Sequence, residues 1–211
     1  MRSHPSITIS RMAGAGGRTV ASKLAEDLQA YAPRGRQWTV FDRNLIEKVL
    51  EDHHLSRRLA EYLPESSQPF RPPEFKELRG QNLSSTTMVE QTVETIWKLA
   101  EDGFVILVGR GANVITAGLD NMFHVRLVGS LEKRARRLEM VYDFDRATAR
   151  QYLKTQDESK KRYLKEYFDR DIEDPLLYHL VVNTDGMTYE GAARVIADAV
   201  IHRFHLESTG G

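Results

Sequence analysis

The chain has no cysteine among its 211 residues. Disulfides and thiolate metal sites are therefore excluded, and a reducing compartment suits the composition. It also has no surplus of charge, since 30 Lys and Arg balance 30 Asp and Glu. A protein held on nucleic acid by bulk electrostatics shows a basic excess, so nucleic acid is not an expected partner. No stretch approaches the ~18 apolar residues of a membrane span. The opening Met1-Arg2-Ser3-His4-Pro5 carries no apolar signal region. The expectation is a cytoplasmic protein with no membrane partner, and nothing in the sequence indicates a homo-oligomer. Proline is scarce, and four of the 7, Pro64, Pro69, Pro72 and Pro73, fall close together. That cluster marks 64–85 as an irregular insertion, because proline removes a donor and fixes the backbone.

What is present is most informative near the start. Ile7-Thr8-Ile9 reads as a short strand, Gly14-Ala15-Gly16-Gly17-Arg18-Thr19 as a glycine loop, and 19–32 as a helix with Val20, Leu24 and Leu28 on one face. Strand, glycine loop and helix in that order hold phosphates: glycines let backbone N–H groups approach the anion, and the helix N-terminus adds partial positive charge. The pattern departs from G-x-x-x-x-G-K-[ST]. With its last glycine set on Gly16, Arg11 takes the first glycine's place and Gly17 the lysine's. Arg18 is then the nearest cation, with a fork of donors suited to phosphate oxygens. Thr19 is the nearest hydroxyl for a magnesium ion.

Further strands are expected at 38–41, 104–108, 123–128 and 180–182. Helices are expected at 45–51, 56–63, 86–102, 131–142, 147–168 and 189–204. The alternation predicts an α/β domain with a parallel sheet wrapped by helices. The continuous apolar run Phe104-Val105-Ile106-Leu107-Val108 fits a central strand covered on both faces. Gly103 is placed to end the helix before it, and Thr188 to cap the last helix. The long charged helix is the one candidate for a moving lid.

Ligands of open parallel sheets bind beyond the carboxyl ends of the strands. Asp42 and Arg43 follow the second strand, Gly109-Arg110-Gly111-Ala112 the third, and Asn183-Thr184-Asp185-Gly186 the last. Arg110 between two glycines can grip a carboxylate or phosphate bidentately, and as an alternative forms a surface salt bridge. Asp42 reads either as a substrate contact or as a helix cap. Lys133-Arg134-Ala135-Arg136-Arg137 cannot face one way on a helix, so some of these cations point to a cleft and others to solvent. His53 and His54 diverge on a helix, which argues against a metal pair.

Taken in order, these segments resemble the cytidylate kinase-like proteins, a divergent branch of the nucleoside monophosphate kinases. The resemblance rests on Ile7 to Arg11, Gly14 to Arg18, Phe41-Asp42-Arg43-Asn44-Leu45-Ile46, Val108 to Ala112, Leu131 to Arg137, Asp157 with Arg162, and Asn183 to Gly186. It implies a three-layer P-loop NTPase fold, one domain over 1–211, with an acceptor arm at 52–88 and a helical lid at 147–170. It implies ATP and Mg2+ as cofactors and nucleotides as substrates. Arg11, Gly14, Ala15, Gly16, Gly17, Arg18 and Thr19 become the cofactor-binding set, with Thr19 at the metal. Asp42, Arg110 and Asp157 become substrate-binding residues, Arg110 matching the Gly-Arg turn of bacterial cytidylate kinases. Arg18, Arg134 and Arg162 become the catalytic cations. Three features depart from true cytidylate kinases: the loop lysine is missing, Gly111 stands where those enzymes have an aspartate, and 52–88 does not read as their acceptor domain. The expected activity is phosphoryl transfer from ATP to a small phosphorylated acceptor such as CMP. The rivals are a catalytically weak nucleotide sensor and a hydroxyl kinase on the same fold, with Asp42 as base. A dinucleotide-binding dehydrogenase is disfavoured because the loop lacks G-x-G-x-x-G.

Overall fold

The computed structural model describes residues 4–42, 44–54 and 85–208. Five strands alternate with helices: β1 (Ser6–Arg11), α1 (Gly17–Leu28), β2 (Thr39–Phe41), α2 (Asn44–Asp52), α3 (Ser85–Asp102), β3 (Val105–Val108), α4 (Ala112–Ile115), β4 (Met122–Val128), α5 (Leu131–Tyr142), α6 (Arg146–Phe168), β5 (Leu180–Asn183) and α7 (Tyr189–Phe204). The sheet is wholly parallel, in the order β2-β3-β1-β4-β5.

Strand periodicity explains the three layers. Ile106 and Val108 join Ile7, Ile9, Val125 and Leu127 against α1 and α7, where Val20, Leu24, Leu28, Ile196 and Val200 are buried. Val105 and Leu107 face the other way, onto Leu45, Ile96 and Ala100. Each fully buried Leu or Ile contributes about 1.5–3 kcal/mol, which is why the apolar run on β3 faces two cores rather than one. β1 instead alternates Ile7 and Ile9 with buried Ser6, Thr8 and Ser10. Those hydroxyls are satisfied: Ser6 donates to the Ala100 carbonyl, Thr8 pairs with His124, and Ser10 accepts from Arg126.

Several boundaries differ from expectation for local reasons. α1 starts at Gly17, two residues early, because Gly16 takes a left-handed φ of 83° at its N-cap. It ends at Leu28 and tightens into a 3-10 turn over Gln29–Tyr31. There the Gln29 side chain bonds the Arg36 carbonyl and the Trp38 N–H. α6 stops at Phe168, the expected end of the long charged helix, because Asp169 turns left-handed. α3 begins at Ser85, one residue before the expected helix, so its first residues fall within 52–88, the stretch read as the acceptor arm. The helix expected at 56–63 and the irregular insertion at 64–84 lie outside the described residues. Gly103 (φ 80°) ends α3 and Thr188 caps α7 through Gly191 N–H, both as expected. His53 ties α2 to α3, with its Nε2 3.1 Å from the Gln91 carbonyl and 3.3 Å from Thr95 Oγ1. Among the described residues no group of three metal-ligating side chains occurs, and no helix is long and apolar enough to cross a membrane.

Candidate phosphate loop and basic cleft

β1 and β4 end side by side, and the glycine loop leaves from β1 at that edge. Gly14 (φ 72°) and Gly16 (φ 83°) carry the loop through backbone regions that other residues rarely adopt. Neighbours crowd it. A Cβ on Gly16 would lie 2.1 Å from the Tyr189 ring, and one on Gly17 2.9 Å from Arg11 Cγ. Within the loop, Ala15 N–H bonds the Met12 carbonyl and Met12 N–H the Leu127 carbonyl. The N–H groups of Gly14, Gly16, Gly17, Arg18 and Thr19 have no acceptor among the described residues. These donors at a helix start are what an anion can use. Gly16→Ala is expected to destabilise the protein by about 1–3 kcal/mol through strain alone, and by more if Tyr189 cannot retreat. A lowered urea midpoint checks it.

Ala13 N–H is already taken. It donates to Asp157 Oδ1 on α6 at 2.6 Å, and Arg134 Nη1 reaches Asp157 Oδ2 at 2.7 Å and the Ala13 carbonyl at 2.8 Å. Arg134 Nε also donates to the Gly129 carbonyl. A carboxylate from the expected lid thus sits on the loop's main chain, clipped there by an arginine only 5% exposed. Beneath the clip, Ala13, Ala135, Leu138, Ala149 and Leu153 form a small apolar core joining loop, α5 and α6. Arg137 lies 5.0 Å over the Tyr189 ring and donates to the Thr184 carbonyl at 2.6 Å. Ser130 caps α5, and its N–H bonds Asp185. Hydrogen bonding from Ser130, its side chain first and its N–H after it, holds the Asp185 carboxyl below the usual carboxylate range.

Beside the clip opens a cleft of about 660 Å³, its cations including Arg11, Arg126, Arg134, Lys160 and Arg162. Among the residues singled out in the sequence, the fold gathers Arg11, Arg134, Asp157 and Arg162 there. Asp42 stands 3.6 Å from Arg11, in an ion pair. Arg18 and Thr19 lie elsewhere, exposed on the first turn of α1. Arg110 is also outside the cleft. It is buried at φ 58° between two left-handed glycines, not on the surface, and Gly111 packs under Phe168 of α6. Lys133 and Arg136 are solvent-exposed. Arg126 was missed. Its sequence signal is a charge within the buried run of β4, where a parallel strand otherwise admits apolar residues.

Residues 6–186 match the cytidylate kinase-like family. The chain belongs to that family. A cytidylate kinase from Methanocaldococcus jannaschii is 27% identical over 105 residues, which span 49% of this chain and 59% of that enzyme. The match thus takes in little more than half the length of that relative. The crystal structure of an uncharacterized protein from Eubacterium ventriosum superposes with a TM-score of 0.68 at 21% identity, covering 93% of this chain and 98% of that one. A shikimate kinase from Bacteroides thetaiotaomicron gives 0.51 at 14%, covering 96% and 99%. Another from Acinetobacter baumannii, in complex with shikimate, gives 0.50 at 15%, covering 94% of each chain. At such identities the structures establish the fold: a cytidylate kinase-like chain on the P-loop kinase scaffold.

Proposed function

We propose that this chain transfers the terminal phosphoryl group of ATP to a small phosphorylated acceptor, a pyrimidine nucleoside monophosphate such as CMP. The observation that carries this reading is the set of amides at Gly14, Gly16, Gly17, Arg18 and Thr19 with no acceptor among the described residues, beside a cleft lined with arginines, in a cytidylate kinase-like chain. The amides suit the donor phosphates, and Arg18 stands in for the missing lysine. The Thr19 hydroxyl, exposed in the first turn of α1, is suited to a magnesium ion. Ser10, the other nearby hydroxyl, already accepts from Arg126. Thr19 would hold the ion, and a bound Mg2+ would supply neutralisation of charge on the donor phosphates.

The chain's own residues do the rest by position and charge. Arg162 lines the cleft from α6 and neutralises charge on the moving phosphoryl. Arg134 joins it by exchanging Asp157 for a phosphate oxygen, so α6 shifts on the loop during turnover. No side-chain base is required, because an acceptor phosphate oxygen is already anionic. Electrostatic stabilisation and positioning supply most of the catalysis in such transfers.

The test is a coupled assay with ATP and Mg2+ against CMP, UMP, AMP and GMP. Turnover on CMP or UMP is expected, and none on any monophosphate sinks the proposal. Arg18→Ala should weaken binding of a nonhydrolysable ATP analogue by about 10–100-fold, as for one lost charge-assisted hydrogen bond. The short Ala13–Asp157 bond favours a second reading, a nucleotide binder with feeble turnover, because it withholds one loop amide. Tight binding in calorimetry with no product selects that reading.

A further inference from the structure

Arg126 is the least explained charge among the described residues. It is 5% exposed, on β4, one strand from the glycine loop. Its side chain's only hydrogen bond to a described residue runs from Nη1 to the Ser10 hydroxyl at 2.8 Å. Among the described residues no carboxylate lies within ion-pair distance of it. Asp157 and Glu173 act on it only from farther away, and each already has a cation: Asp157 has Arg134 at 2.7 Å, Glu173 has Lys161 at 3.0 Å. Tyr178 lies 5.9 Å from the guanidinium carbon, and its hydroxyl is anchored on the Ile172 carbonyl at 2.8 Å. The fork is thereby held in place, and the residue lines the cleft beside Arg11. Burial disfavours its charge, and the nearby Arg11 disfavours it further. A buried cation with one neutral partner is costly unless something of opposite charge arrives.

We infer that Arg126, with Arg11 beside it, forms an anion subsite separate from the glycine loop, which takes the phosphate monoester of a small molecule. The planar fork offers parallel N–H groups at the spacing of two phosphate oxygens, a match lysine lacks. The phosphate comes from the acceptor itself or from a phosphorylated effector. Only the first source rests on the proposed kinase reading.

The experiment follows the Arg126 Nε–Hε resonance in the full-length protein, with the loop saturated by a nonhydrolysable ATP analogue. Inorganic phosphate, CMP and cytidine are the probes. Phosphate is expected to shift the resonance and cytidine to leave it unmoved. A shift with CMP that blocks the phosphate response assigns the subsite to the acceptor. A phosphate response that persists under saturating CMP assigns it to an effector. No response to phosphate or CMP at millimolar concentrations overturns the inference. Arg126→Met should weaken phosphate binding by about 10–100-fold in calorimetry, with Arg126→Lys recovering only part of it. Phosphate binding to Arg126→Met at full strength also overturns it. A protein that shows the shift but phosphorylates no monophosphate refutes the kinase reading and leaves the subsite standing.

Discussion

Arg134→Met should lower unfolding stability by about 2–5 kcal/mol, the largest loss expected from any single substitution in the loop region. The side chain is nearly fully buried and makes three hydrogen bonds at once, to Gly129, Ala13 and Asp157. Methionine fills much of the space but leaves two carbonyls without a donor and the Asp157 carboxylate without its cation. Each orphaned carbonyl costs about 1–3 kcal/mol where water cannot reach it. Asp157 keeps partial solvent access, which tempers the ionic share. Urea denaturation of Arg134→Met, Asp157→Asn and the double variant separates the terms. The double variant should be more stable than the sum of the two losses implies, because the singles break the same contact. Strict additivity would show that the clip contributes nothing as a unit. The same variants bear on the proposed activity, since Asp157→Asn loosens the hold on Ala13 N–H and should raise affinity for the ATP analogue.

Acid should destabilise the fold through His124. Burial pushes its imidazole down to about 4, and His179 and Arg203 push the same way. In the unfolded chain a histidine titrates near 6.5. The unfolded state therefore binds the proton first as pH falls. The stability contributed by neutral His124 is complete above about 6.5 and drains away as pH falls toward 4, a loss on the order of 3 kcal/mol. The groups facing it are Thr8, 2.8 Å from its Nδ1, and His179, stacked 5.0 Å away. His179 is lowered too, mainly by burial, so its contribution drains in the same direction. Urea midpoints across pH 4–7 should fall steeply toward acid, and His124→Gln should flatten that slope. An unchanged slope in the variant would assign acid sensitivity to the carboxylates instead.

The scaffold was largely legible along the chain, and particular residues show why. Val105 to Val108 is apolar without a break because both faces of β3 meet a core. α5 and α7 fall on their expected spans because each carries a cap, Ser130 and Thr188, before an amphipathic run. The glycine loop announced itself by composition. Where α1 began two residues early, the cause was a single backbone conformation, at Gly16, that no periodicity encodes. The site was less legible. Arg18 and Arg134 looked equivalent as cations near a loop, yet one stands in solvent and the other is buried against the main chain.

Local rules in the chain therefore settle the element types, their order and the glycine loop between β1 and α1, because periodicity, capping and glycine placement act over a few residues. The partners of the charges were settled by the packed molecule. Asp157 finds Ala13 across 144 positions, Arg126 finds Ser10 across 116, and Arg137 finds Thr184 across 47. A charged side chain on a helix has the same local signature whether it meets water or a buried carbonyl. Only the stacking of α5 and α6 over the carboxyl edge of the sheet distinguishes the two.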